Sequence, residues 1–187
     1  MLMIGSGLLM DVIVVSLFCY FLCSPKKSAW RIPLEFSLFY GLRFTCLFLF
    51  AMQTPKGFYW EYPGFPSLTV PYGWTNDFFY SGHIGACVLC FCEFRDCSKG
   101  DSSSKCMAGL TVVSIVSLIA QVMVMLVTRG HYTIDLIAGV VFGHYCHLLA
   151  FKMIQTCCKE ENQKACHAAS KSSSQHEDLF SRQSQGA

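Results

Sequence analysis

The chain has 187 residues, of which 53% are hydrophobic and 14% are charged, and its formal net charge is +2. Ordinary soluble domains carry about 25% charged residues, so this composition favours an integral membrane protein. The small net charge and the lack of a basic cluster give no support to nucleic-acid binding.

Five apolar segments follow one another along the chain. Each approaches the roughly 20 residues that an α-helix needs to cross the hydrocarbon core of a bilayer. We therefore predict an all-α integral membrane protein, a polytopic helical bundle with one transmembrane domain at residues 1–153. The remaining residues, 154–187, are rich in Ser, Gln and Lys and are predicted to form a disordered tail. The predicted membrane helices are residues 1–23, 34–52, 78–94, 107–128 and 132–153.

The basic residues of the loops predict how these helices are oriented. Lys and Arg are concentrated in the loops before the second and fourth segments and in the tail, whereas loop 53–77 and the connection 129–131 contain one each. The basic regions are expected to be cytosolic, so loop 53–77 and the last connection face the lumen or the exterior. The N-terminus then also lies on the non-cytosolic side. Because the first segment lacks the features of a signal peptide, a sixth helix upstream is expected.

Twelve cysteines are present, and most are interpreted as reduced, small hydrophobic residues because they lie in or beside apolar segments. A zinc site in the third segment is disfavoured, since structural zinc sites bring short-spaced ligands from separate elements. The cysteines concerned are Cys87, Cys90, Cys92 and Cys97. His144 and His147 could form a metal pair, but packing or placement at the membrane interface is the preferred interpretation. No metal and no cofactor is expected.

A polar cluster interrupts the apolar pattern before the fifth segment, in the stretch "VTRGHYTIDLIAGVV" at 127–141. If the fifth helix begins at or before His131, the spacing of four places His131 and Asp135 on one face. The carboxylate can then hold one imidazole nitrogen and leave the other as a base or nucleophile. An interfacial helix start, with Asp135 near the positive end of the helix dipole, explains the same residues without any chemistry.

A second histidine lies near the start of the third segment, in "NDFFYSGHIG". The predicted orientation brings Ser81, Gly82 and His83 to the level of His131, on the non-cytosolic side. Gly82 permits close approach of a backbone or a substrate. Two histidines and an aspartate at one depth can act as acid, nucleophile and orienting group, so we predict a catalytic site there.

Two arginines are candidates for binding an anion at this site. Arg129 lies two residues before His131, and Arg43 lies within the second segment. At a rise of 1.5 Å per residue, Arg43 is about 13 Å inside the bilayer, where it needs an anionic partner. A substrate phosphate fits, because guanidinium binds phosphate through paired hydrogen bonds. A protein carboxylate such as Asp11 is an equally good partner.

The motifs "SGH" and "HYTID" together resemble the histidine–histidine–aspartate triad of the sphingomyelin synthase family, within the lipid phosphatase and phosphotransferase superfamily. The longer strings "TRGHYTIDLIAGVVFG" and "NDFFYSGHIG" are most similar to plant-type phosphatidylcholine:diacylglycerol cholinephosphotransferases. The segment "QTPKGFYWEYPGFPS" also resembles the proline-rich lumenal loop of that family. The resemblance covers roughly residues 34–153.

The resemblance implies six membrane helices with the active site at the non-cytosolic face, and a location in the endoplasmic reticulum or Golgi is expected. It implies that His131 is the nucleophile, Asp135 its orienting partner and His83 the general acid and base. The implied reaction moves phosphocholine, or a related phospho-headgroup, from a phospholipid donor to diacylglycerol or ceramide through a phosphohistidine intermediate.

Two other functions stay open at this point. A lipid phosphate phosphatase is weakened by Met125, which stands where the phosphatase motif has an arginine, and by the lack of the upstream Lys-to-Arg-Pro motif. A non-enzymatic membrane bundle would leave the polar residues in structural roles. In a transferase, Trp60, Trp74 or Tyr80 could bind the choline cation, because aromatic faces attract quaternary ammonium.

Overall fold

The structure is a computed structural model, and it describes residues 2–23, 30–50, 56–57, 64, 67–68, 79–99 and 105–184. Within these residues the chain forms five α-helices and no strand, which confirms the predicted all-α class. Most of loop 53–77, including Trp60 and Trp74, lies outside the described residues. The helices are α1 (Leu2–Cys23), α2 (Arg31–Leu49), α3 (Gly82–Lys99), α4 (Lys105–Val127) and α5 (Thr133–Ser184).

Four of the described helices contain a stretch long and apolar enough to cross a membrane, which identifies a multi-pass integral membrane protein. The stretches are Met3–Cys23, Arg31–Leu49, Lys105–Val127 and Thr133–Glu160. The exception among the five predicted spans is α3, whose second half contains Glu93, Arg95, Asp96 and Lys99. Its first half lies deep inside the protein, because every residue from Gly82 to Cys90 is buried.

The outward faces of the apolar helices differ from a soluble surface. Large apolar side chains such as Phe18 on α1, Ile119 on α4 and Val141 on α5 are more than half exposed. A soluble monomer rarely exposes so much apolar surface, whereas a lipid bilayer accommodates it. The cysteines whose side chains the structure describes carry free thiols, and those of α3 include Cys87 and Cys90, which are fully buried in the core.

Glycines let α2 and α5 approach the first half of α3 closely. On the α2 side, a Cβ atom added to Gly85 would lie 1.9 Å from Cζ of Phe39. On the α5 side, a Cβ on Gly143 would lie 3.0 Å from the backbone oxygen of Gly85, and one on Gly139 would lie 2.8 Å from that of Ser81. Small residues four apart are typical of close helix contacts in membranes. The start of α3 therefore lies between α2 and α5.

The chain divides into two compact units, Met1–Ala150 and Phe151–Ala187. The sequence predicts a domain boundary at residue 153 and a disordered tail beyond it; in the structure α5 continues as a helix to Ser184. Residues 154–184 contain no proline or glycine and many Lys, Glu, Gln and Ala residues. These residue types have good helix propensity, which accounts for the difference.

Candidate active site

The contact between His131 and Asp135 is made at the start of α5. Oδ2 of Asp135 lies 3.4 Å from Nδ1 of His131 and accepts a hydrogen bond from the backbone N–H of Tyr132 at 3.0 Å. The helix begins at Thr133, two residues after His131, so the turn before the helix, and not a shared helical face, brings the two side chains together. The bond to Tyr132 matches the backward bond of a capping box. One fully buried carboxylate therefore caps the helix and holds the histidine.

A backbone hydrogen bond ties the start of α3 to the start of α5. The N–H of Ser81 donates to the backbone oxygen of Asp135 at 3.1 Å, and the hydroxyl of Ser81 accepts from the N–H of Ile84 at 3.5 Å, as an N-cap residue does. His83, two residues later, is 8% exposed. Because Asp135 also contacts His131, the bond from Ser81 joins the segment that contains His83 to the segment that contains His131. The structure thus brings the two histidines of the predicted site together.

Arg43 reaches the same site from α2. Its guanidinium lies against the backbone of Gly82, where an added Cβ would be 1.6 Å from Nη1 and 2.4 Å from Cζ. The guanidinium carbon also lies 5.9 Å from the centre of the Tyr40 ring, within the range of a cation–π contact. Arg43 interacts electrostatically with His83. A cation able to bind phosphate is therefore adjacent to one of the two histidines.

Arg129 lies at the connection between α4 and α5 and makes a different contact. Its side chain is exposed, and Nη1 donates a hydrogen bond to the backbone oxygen of Lys56 at 3.1 Å. Its backbone φ is 51°, in the left-handed region that few residues other than glycine adopt. Arg129 therefore binds loop 53–77 to the α4–α5 connection.

Asp11, which the sequence offered as a partner for Arg43, binds the same loop from α1. Its two carboxylate oxygens accept hydrogen bonds from the hydroxyl of Ser67 at 2.9 Å and from the N–H of Leu68 at 3.0 Å. An aspartate in the middle of an apolar helix is costly, and these two donors offset part of that cost.

Tyr80 packs in the core, so it does not offer an open face to a choline cation. It is 1% exposed, its hydroxyl donates to the backbone oxygen of Phe39, and the centres of the Phe39 and Phe142 rings each lie 5.2 Å from its own. The choline prediction for Tyr80 is therefore wrong. The same prediction for Trp60 and Trp74 falls on residues outside those that the structure describes.

A second polar cluster, which was not predicted from the sequence, is formed by Arg31, Glu35, Glu93 and Asp96 with His147. His147 had been assigned to packing. One feature of the sequence did indicate this cluster. Glu35 lies within the first turns of an apolar helix, and a buried carboxylate at such a position needs a partner.

A family model described as AtPDCT1/2 matches residues 42–152, which is more than half of the chain. The matched range contains Arg43, Gly82, His83, His131 and Asp135. No curated protein and no solved structure matches the chain.

Proposed function

The chain belongs to the AtPDCT1/2 family, that of phosphatidylcholine:diacylglycerol cholinephosphotransferases, and on this premise we propose that it moves phosphocholine from phosphatidylcholine to diacylglycerol. The observation that carries the proposal is the contact of 3.4 Å between the buried carboxylate of Asp135 and Nδ1 of His131. A histidine held in this way has the arrangement of an activated nucleophile.

His131 attacks first. Asp135 accepts a hydrogen bond from Nδ1–H and so selects the tautomer whose lone pair is on Nε2. Nε2 attacks the phosphorus of phosphatidylcholine, the bond from phosphorus to the diacylglycerol oxygen breaks, and protonated His83 gives its proton to that oxygen. Diacylglycerol leaves, and phosphocholine stays bound to Nε2 of His131.

The second half of the reaction runs these steps in reverse with a new lipid. His83, now neutral, takes the proton from the hydroxyl of an incoming diacylglycerol. The hydroxyl oxygen attacks phosphorus, the phosphorus–nitrogen bond to His131 breaks, and a new phosphatidylcholine leaves. The net reaction exchanges the headgroup between two glycerolipids without any metal.

Arg43 has the role of holding the phosphate. As the phosphorus changes partners, negative charge on its non-bridging oxygens increases, and a fixed cation in a water-poor site stabilises that charge. Gly82 supports this role, because its missing side chain leaves the space that the Arg43 guanidinium occupies. Arg129 is assigned instead to holding loop 53–77.

Burial of the site favours a lipid alcohol over water as the acceptor. Asp135 is fully buried and His83 is 8% exposed, so the phosphohistidine would be protected from hydrolysis. We further propose that the site faces the lumen of the endoplasmic reticulum or Golgi, on the basis of the basic loops on the opposite side.

The function can be tested with the purified full chain in lipid nanodiscs that contain phosphatidylcholine labelled in its choline. Diacylglycerol and ceramide of distinct acyl length are added in separate reactions. We expect label in a new phosphatidylcholine that carries the acyl chains of the added diacylglycerol, and not in water-soluble phosphocholine.

The controls separate the alternatives. His131→Ala should abolish the transfer, whereas His144→Ala, which changes an exposed histidine of the same helix, should not. Label only in free phosphocholine would identify a hydrolase, label only in sphingomyelin would identify a ceramide-specific transferase, and no turnover by a folded protein would identify a non-enzymatic bundle. Each of these three results contradicts the proposal.

A further inference from the structure

A second cluster of charged side chains lies inside the protein, near the opposite end of α3 from His83. Glu93 follows His83 by ten residues, which is about 15 Å further along the helix axis. Glu35 of α2 and His147 of α5 meet Glu93 there. All three side chains are buried, with exposed fractions of 0% for Glu35, 2% for Glu93 and 5% for His147.

The three side chains are spaced as the ligands of one metal ion. Nδ1 of His147 lies 3.0 Å from Oε1 of Glu35 and 3.4 Å from Oε1 of Glu93, and one ligand atom from each residue lies within 4.8 Å of the others. Bonds of about 2.0–2.1 Å from zinc to oxygen and nitrogen place neighbouring atoms of a tetrahedral site about 3.3 Å apart. The two distances from Nδ1 of His147 match this spacing, and the limit of 4.8 Å between the glutamate oxygens is compatible with it.

The balance of charge in the cluster favours a divalent cation. Nε of Arg31 lies 2.7 Å from Oε1 of Glu93 and 3.3 Å from Oε1 of Glu35, and Nη2 lies 3.6 Å from Oδ2 of Asp96. One guanidinium against these three carboxylates leaves two negative charges when His147 is neutral, although the side chain of Asp96 is 36% exposed to solvent. The carboxylates of Glu35 and Glu93 are buried, where uncompensated charge is costly, and a divalent ion bound between them would neutralise it.

Two further contacts point to a bound ion. Nε2 of His147 lies 3.3 Å from Oδ2 of Asp96, and in metalloproteins a carboxylate in this position orients the imidazole that binds the metal. Oε2 of Glu35 is buried and has no hydrogen-bond partner among the described residues. A buried carboxylate oxygen in that state is destabilising unless a ligand satisfies it.

We propose that Glu35, Glu93 and His147 bind a zinc ion that joins α2, α3 and α5. His147 supplies Nδ1 and each glutamate supplies oxygen, with Oε2 of Glu35 or a water molecule completing the coordination. Arg31 and Asp96 orient these ligands, and each carboxylate oxygen has a second lone pair for Arg31. An imidazole with two carboxylates suits zinc better than magnesium or calcium, which prefer oxygen ligands alone.

The role of this ion is structural and independent of the headgroup transfer. At about 15 Å from His83 along α3, zinc cannot contact the reacting phosphate. A sequence motif could not have indicated the site, because its ligands come from three helices, and the short spacing in the sequence pairs His147 with His144 instead of with Glu35 or Glu93.

The first test measures the metal content of the full chain, purified in nanodiscs without chelators and dialysed against buffer with micromolar zinc. We expect roughly one zinc ion per chain. Glu35→Gln and His147→Gln should each lower this value at least tenfold. His144→Gln, one turn before His147 on an exposed position, is the matched control and should retain the zinc. A zinc-free wild-type chain would overturn the proposal. In that case, two bound protons would compensate the negative charge of the cluster.

A second measurement on the wild-type chain keeps the proposal testable if the variants do not fold. X-ray absorption at the zinc edge should show only nitrogen and oxygen at about 2.0–2.1 Å, and no sulfur at about 2.3 Å. A sulfur shell would assign the zinc to cysteines and contradict the site. Removal of zinc with a chelator should also lower the unfolding temperature, and added Zn²⁺, but not Mg²⁺, should restore it. An unfolding temperature that does not respond to zinc would equally overturn the structural role.

Discussion

The guanidinium of Arg43 occupies the space in which a side chain on Gly82 would lie, since an added Cβ would be 1.6 Å from Nη1. This contact joins α2 to the start of α3, one residue before His83. It accounts physically for a glycine at position 82 and places a cation beside the proposed general acid. The proposed mechanism therefore depends on a residue without a side chain.

Gly82→Ala should lower the transfer rate while leaving the fold intact. The added methyl group would displace the Arg43 guanidinium, which is the far end of a flexible side chain and can move at little cost in stability. Loss of one charge-stabilising group typically lowers a rate by about 10²–10³-fold. The measurement is labelled headgroup transfer together with the unfolding temperature. Gly41→Ala on α2, where an added Cβ meets nothing within 4 Å, is the control, and a wild-type rate in Gly82→Ala would contradict the role of this contact.

Arg43 and Arg129 should differ sharply when each is replaced. Arg43→Lys keeps the charge but loses the paired hydrogen bonds to phosphate, and Arg43→Ala loses both, with an expected fall of about 10²–10³-fold in kcat. Arg129→Ala removes a bond to the backbone oxygen of Lys56 and should change kcat less than about tenfold, since an exposed hydrogen bond contributes little. Steady-state kinetics on all three variants decide the question. A larger fall in kcat in Arg129→Ala than in the two Arg43 variants would instead assign phosphate binding to Arg129.

Asp135→Asn should lower kcat with little change in the unfolding temperature. The amide oxygen of asparagine can still accept the bond from the N–H of Tyr132, so the start of α5 keeps its cap. The charge that stabilises the His131 imidazolium is lost, and the expected fall in kcat is about 10²–10⁴-fold. Kinetics and thermal unfolding of the same sample separate the two effects. An unfolding temperature that drops in parallel with activity would show that the aspartate is mainly structural.

Gly139→Ala should destabilise the contact between α5 and the start of α3. Its Cβ would lie 2.8 Å from the backbone oxygen of Ser81, and backbone cannot move aside as a flexible side chain can. Overpacking of this kind costs about 1–3 kcal/mol. The matched control is Gly109→Ala on α4, where an added Cβ meets nothing within 4 Å and the higher helix propensity of alanine should be neutral or stabilising. Thermal unfolding in one detergent compares the two, and equal unfolding temperatures would count against the close packing.

Much of the helix pattern could be predicted from the sequence, because a run of apolar residues is a local property. Each of the five predicted segments overlaps one observed helix. The ends of two helices differ from the prediction. Helix α3 continues past Glu93 to Lys99, and within this part Glu93 and Asp96 form ion pairs with Arg31. Helix α5 begins at Thr133 because Asp135 caps it through Tyr132.

Contacts between distant residues could not be predicted in the same way. The motifs identified His83, His131 and Asp135, but the choice between Arg43 and Arg129 depends on how α2 packs against α3. The pairing of Glu35 with His147 likewise joins residues 112 positions apart, and no local pattern indicates it.

The proposed reaction passes through a covalent phosphocholine–His131 intermediate, and trapping this intermediate is its most direct test. Purified protein is incubated with phosphatidylcholine without acceptor, denatured at neutral or alkaline pH to preserve the phosphorus–nitrogen bond, and analysed by mass spectrometry. We expect the mass of phosphocholine on the peptide that contains His131, its loss when diacylglycerol is added before denaturation, and neither adduct nor transfer in His131→Ala. Full transfer activity in His131→Ala would contradict the proposed mechanism.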